Sequence, residues 1–264
     1  MAEVLVGGLK LHVQSLGQSP GEDRAERAPA LFLHGLVMDN LSSWFFTVAG
    51  KAAAERRVVL HDLRGHGRSE RPASGYTLPE LTGEIVGVLD ALGVEQPVQV
   101  VGNSFGGLLA ICLALEHPER VASLALVDAL LPEPGWAGNM RATLSLEGDA
   151  ADSRIASDFK SWLGRHSARK RNRLADAART LVKETSLLDD LETSPTHEDA
   201  AYERITAPVL ALYGGASDQR AAGERLCARL PDARLEIVPG ATHSILWEAT
   251  DLLTERLLAW LALR

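Results

Sequence analysis

The sequence predicts an α/β fold: a mostly parallel, eight-stranded sheet with helices on both faces and a helical insertion late in the chain. Three observations predict it. Short apolar runs alternate with segments of helical period, which is the signature of βαβ units around a buried parallel sheet. The alternation stops after Asp128 and resumes at Pro208, with no strand-like run between. Glycine-rich or polar turns follow most of the apolar runs, and in open α/β sheets ligands sit beyond the carboxyl ends of the strands.

Taken in order, EVLV and LKLHV joined through Gly7-Gly8 read as a hairpin. Ser15 to Ala28 is polar and turn-rich, a surface loop. Pro29 to Leu33 is a strand ending at His34-Gly35, and a helix is expected from Ser42 or Ser43, with serine as its N-cap. Arg57 to Leu60 is a strand, followed by the charged, glycine-punctuated loop DLRGHGRS. Thr77 to Gly93 is a helix with an apolar stripe at Leu81, Ile85, Val88, Leu89 and Leu92. The strand PVQVV, an Ala/Leu-rich helix after Gly107, and the strand VASLALV follow. Strands at Pro208–Tyr213 and Arg234–Val238 alternate with helices at Ala221–Leu230 and Thr250–Leu263. One core, residues 1–128 and 204–264, with a helical cap or lid at 129–203, accounts for the whole pattern. Trp136, Phe159 and Trp162 supply the insertion with aromatics that line a pocket or pack it onto the core.

Composition excludes several classes. The 264 residues are 46% hydrophobic and 23% charged, ordinary for a globular protein. A net charge of −8 argues against a general nucleic-acid binder, which needs a basic face. The basic run Arg165 to Arg173 reads as a solvated face. Two cysteines in apolar helical surroundings and no ligand-like spacing imply neither a disulfide framework nor a metal site. No secretion signal or membrane-length apolar run is visible, so a soluble cytoplasmic protein acting on a small molecule, without cofactor, is expected, with its oligomeric state left open.

The chemistry centres on Gly102-Asn103-Ser104-Phe105-Gly106-Gly107, between a strand and a helix. A serine at such a turn is pushed out above the sheet beside the free amides of a helix N-terminus. A serine hydroxyl needs a base that titrates near neutrality, and that base needs an acceptor on its far nitrogen. His243, on the PGAT loop after the last strand, is the expected base. Asp218, on the GGASD loop after the preceding strand, is the expected acid, with Asp128 as rival. The amides of Leu36 and Phe105 are the expected oxyanion donors, each typically worth about 10²–10³ in turnover. His34 and Asp62 are read as loop-holding residues, and Asn103, Trp136, Trp162 and Trp247 as pocket candidates.

HG at 34–35, DLRGHGRS, GNSFGG, SD at 217–218 and HSILWE from 243 resemble, in content and order, the α/β-hydrolase superfamily. The resemblance covers essentially the whole chain and implies the α/β-hydrolase fold and a Ser-Asp-His triad. VGNSFGGLLA is similar to the elbow of meta-cleavage-product hydrolases, which cleave a carbon–carbon bond in vinylogous diketones; their oxyanion loop, HGSGPG, stands here as HGLVMD, and Ser244 follows His243 where they carry Trp. The leading expectation is a serine hydrolase of a small or medium ester. Alternatives are carbon–carbon hydrolysis, thioester hydrolysis and a non-enzymatic receptor. Dehalogenase and epoxide-hydrolase chemistry is disfavoured, because those relatives carry Asp where Ser104 stands.

Overall fold

The computed structural model describes residues 2–17, 27–145 and 168–263. The eight strands form one sheet in the order β1-β2-β4-β3-β5-β6-β7-β8. They span Ala2–Val6 (β1), Leu9–Leu16 (β2), Ala30–Leu33 (β3), Val58–His61 (β4), Val98–Asn103 (β5), Val121–Val127 (β6), Val209–Gly214 (β7) and Ala233–Val238 (β8). Gly7 and Gly8 both take positive φ, 57° and 86°, as a two-residue hairpin turn requires. β1 and β2 are antiparallel, β2 pairs antiparallel with β4, and every later pairing is parallel.

Alternate strand residues face opposite sides of a pleated sheet, and both sides here are buried. Leu31, Leu33, Val59, Val100, Leu124 and Leu126 pack on one face with helices α2 (Leu78–Ala91) and α3 (Phe105–Glu116). Ala30, Phe32, Leu60, Val101 and Val127 pack on the other with α9 (Thr250–Ala262) and the helical run α1, residues 42–52. α2 opens with a capping box in which Thr77 and Glu80 satisfy each other's backbone amides.

One local expectation fails. α1 does not start on a serine cap: Ser43 is buried and its hydroxyl bonds Asp39, while Asn40 Oδ1 accepts from the Ser42 amide at 3.0 Å. The run also relaxes into a π-helix over Phe45–Ala49.

Between β6 and β7 the chain adds α4 (Trp136–Leu144), α5 (Ala168–Glu184) and α6 (Leu187–Thr193), with no strand among the described residues. Polar bonds fix α6 to the loop before α2. Asp190 accepts from the Gly75 and Tyr76 amides at 3.0 and 2.8 Å, and Ser194 Oγ accepts from the Leu78 amide at 2.9 Å. Phe159, Trp162 and most of the 15–28 loop lie outside the described residues.

Candidate active site

Residue 104 sits where β5 must turn into α3, and its backbone is strained: Ser104 has φ 53° and ψ −115°. The flanking glycines are demanded by close approach. A Cβ on Gly102 would lie 2.4 Å from Gly106 O, and one on Gly106 would lie 2.3 Å from Leu33 O. The strand, the helix and the loop after β3 therefore meet backbone to backbone beneath the serine.

Ser104 Oγ lies 2.9 Å from His243 Nε2. His243 follows β8 on a loop pinned by Glu248, whose carboxylate accepts from the Thr242 amide at 2.7 Å and the Thr242 hydroxyl at 2.9 Å. On the far side of the ring, His243 Nδ1 lies 2.9 Å from Asp128 Oδ1. A carboxylate only accepts, so the proton sits on Nδ1 and Nε2 is left to accept from the serine hydroxyl.

The carboxylate that faces His243 is therefore Asp128, where Asp218 was expected. In the parallel β5–β6 register Asn103 pairs with Val127, which sets Asp128 level with Ser104 in the adjacent strand. Asp128 is fully buried, and its Oδ2 accepts from the Gly214 amide at 2.7 Å. Ser217 Oγ donates to the same Oδ1 that faces His243. Asp218 is exposed, four residues beyond the end of β7. The SD pair reaches the site through its serine, not its aspartate. Asp128, like Ser104, sits at positive φ, 45°.

The loop after β3 is held by two neutral histidines. His34 Nε2 accepts from the Leu63 amide at 3.0 Å and Nδ1 donates to Gly35 O at 2.7 Å. His66 Nε2 accepts from the Val37 amide at 2.9 Å and Nδ1 donates to Arg64 O at 2.9 Å. Burial, helped by the nearby His34, lowers the His66 pKa to about 3 and that of His61 to about 4. The Gly35 amide is taken by Asp39 at 2.8 Å. Leu36, between two engaged amides, donates to no acceptor among the described residues. Phe105 opens α3, so its amide belongs to the turn that lacks intrahelical acceptors. His66 was not singled out in the sequence; its place between two glycines of DLRGHGRS was the signal.

Of the pocket candidates, Asn103 lies beside Gly35, its Oδ1 buried without a partner. Trp136 stacks on Phe105 with ring centroids 6.1 Å apart. Trp247 packs with Met38 and Leu174, and Trp162 is not among the described residues. Among the described residues no helix is long and apolar enough to cross a membrane.

Comparison with known proteins agrees with this architecture. The chain is 38% identical to a 2-hydroxymuconate semialdehyde hydrolase of Pseudomonas putida over 48% of its own length and 43% of that relative, so the match spans less than half of the curated protein. The enol-lactonase of Burkholderia xenovorans LB400 shares the fold, with a TM-score of 0.74 and 24% identity over 99% of this chain and 100% of that one. Est816, an N-acyl homoserine lactone degrading enzyme, superposes with a TM-score of 0.71 and 26% identity over 97% and 98% of the two chains. The profile of the family described as alpha/beta hydrolase fold matches residues 29–250. With the sheet order and the elbow between β5 and α3, this places the chain in the α/β-hydrolase family.

Proposed function

We propose that the protein is a serine hydrolase that cleaves a small or medium ester or lactone through an acyl-enzyme, with Ser104, His243 and Asp128 as its triad. The observation that carries this reading is the continuous relay from Asp128 to His243 to Ser104, with both contacts at 2.9 Å. Ser104 Oγ attacks the carbonyl carbon as His243 Nε2 takes its proton. Asp128 holds Nδ1–H and stabilises the imidazolium. The amides of Phe105 and Leu36 receive the developing oxyanion. His243 then gives its proton to the leaving oxygen, and water, deprotonated by the same ring, releases the acid. The described helices between β6 and β7, α4 to α6, act as a cap over the strand ends. The likeness to a lactone-degrading enzyme supports an ester bond as target, since a lactone is a cyclic ester.

A second reading, hydrolysis of a carbon–carbon bond beside a carbonyl, is favoured by the identity to the semialdehyde hydrolase and by Asn103 next to the nucleophile. Turnover of p-nitrophenyl esters against a ring-fission dienol separates the two. Ester turnover should dominate and Ser104→Ala should lower it by at least ~10³-fold. Hydrolysis of the dienol alone would reject the ester reading, and full activity in Ser104→Ala would reject the triad.

A further inference from the structure

Helix α5 bridges two parts of the core. Its inner stripe, Leu174, Ala178 and Leu181, follows the i, i+4, i+7 spacing of one helix face. Leu181 packs into the main core, its Cδ1 2.6 Å from where a Cβ on Gly65 would sit, close to Tyr76. About 10 Å away along the axis, Leu174 is in another environment. Leu174 and Met38 are both buried in a small separate cluster, against which Val37, Ala175, Ala178 and Trp247 pack.

That cluster joins both loops that serve the reaction. Val37 and Met38 directly follow Leu36, one proposed oxyanion donor. Trp247 stands one helical turn after His243, in the short helix α8 (Ile245–Glu248). A carbonyl seated between Ser104 and Leu36 has these two loops on either side and α5 across them. The surface facing its substituent is then aliphatic, thioether and indole. The arginines of α5 with described side chains, Arg169, Arg173 and Arg179, lie on the exposed face, and Arg179 pairs with Asp176 at 2.8 Å.

We propose that Met38, Leu174, Ala178 and Trp247 form the wall that sets specificity, selecting an apolar substituent on the carbonyl and fixing its length. Leu174 is the end stop, and the small side chain at Ala178 stands one helical turn from it. An anionic substituent here would lose its hydration against a cluster whose described members are all apolar or aromatic. This assignment rests on the proposed attack of Ser104 on a carbonyl, so its test must separate the two.

Methyl and octyl fluorophosphonates react at an activated serine whichever carbonyl the enzyme prefers, and intact mass reads the adduct. The full chain, Leu174→Ala and Ala178→Leu are compared after thermal melts confirm folding. Leu174→Ala should raise the octyl-to-methyl rate ratio about tenfold, and Ala178→Leu should lower it by a similar factor, the scale of one or two methylenes in an apolar pocket. Ratios unchanged in both variants overturn the wall; should Leu174→Ala not fold, Ala178→Leu alone decides. A wild type that is labelled at Ser104 but hydrolyses no p-nitrophenyl ester removes the ester reading, and the ratios still decide the wall. A wild type that is never labelled overturns both.

Discussion

Two buried aspartates each face a histidine Nδ1 in this molecule. Asp62, just after β4, meets His12 at 2.7 Å, and Asp128, just after β6, meets His243 at 2.9 Å. Both carboxylates are also held by backbone amides, Leu41 and Arg68 for Asp62 and Gly214 for Asp128. The difference lies beyond the ring. His12 is 8% exposed and its Nε2 meets the Gln14 side chain. His243 is 31% exposed and its Nε2 meets Ser104, on a strained backbone at the foot of the proposed cap. An Asp–His pair is thus a structural tie by default. It becomes a proton relay when the second nitrogen faces a nucleophile that substrate can reach.

Substitutions can break this contrast, and the largest effect is expected at Asp128. Asp128→Asn keeps the shape but offers Nδ1 the wrong partner, so kcat of the folded enzyme should fall by about 10⁴-fold; a variant with near wild-type kcat would return the acid role to Asp218. Asp62→Asn should act on stability alone. It weakens charge-assisted bonds to Leu41, Arg68 and His12 and should cost about 2–3 kcal/mol in urea unfolding, with esterase kcat changed far less than stability. A kcat loss rivalling that of Asp128→Asn would erase the distinction.

A pH effect comes next. His61 and His66 have folded pKa values of about 4 and 3, below the value of about 6.5 for the unfolded chain. Below pH 6.5 the unfolded chain binds protons that the native state refuses, so stability falls with pH from 6.5 down to about 4, by up to about 1.4 kcal/mol per pH unit for each histidine. Urea midpoints between pH 7.5 and 5 check this, and His66→Gln should flatten the slope; an unaltered slope rejects the assignment. The smallest effect belongs to Asp218→Ala, an exposed side chain whose loss should leave kcat/KM within about twofold of wild type and stability within ±0.5 kcal/mol.

The sheet was legible because its strands are short, apolar and bounded by turn residues, and the structure places all eight where the pattern puts them. The elbow was legible because Gly102 and Gly106 have a steric reason that any chain making this turn must share. The carboxylate that meets His243 was not. Sequence gives the distance of a carboxylate from its strand end but not the register between strands, and it is the pairing of Asn103 with Val127 that sets Asp128 level with the serine. A free-looking glycine turn made Asp218 plausible, yet its neighbour Ser217 is the residue that reaches inward. The N-cap of α1 was misplaced for a similar reason. Asp39 and Asn40 compete for the same amides and hydroxyl as the serines, and local composition cannot rank them. The wall around Leu174 was invisible because it joins three segments distant in the chain.

The contact of Gly106 with Leu33 and His34 has a consequence for how such a site can diversify. The proposed electrophile-binding half is main chain, and its position is fixed where three backbones touch. The side chains of Leu36 and Phe105 are bystanders to that donation. Substitution at position 36, which is half-buried, can therefore reshape what the pocket accepts while leaving the amide where it is. Glycines 102 and 106 carry the opposite burden: they are the positions at which drift in sequence is arrested so that drift in substrate can proceed.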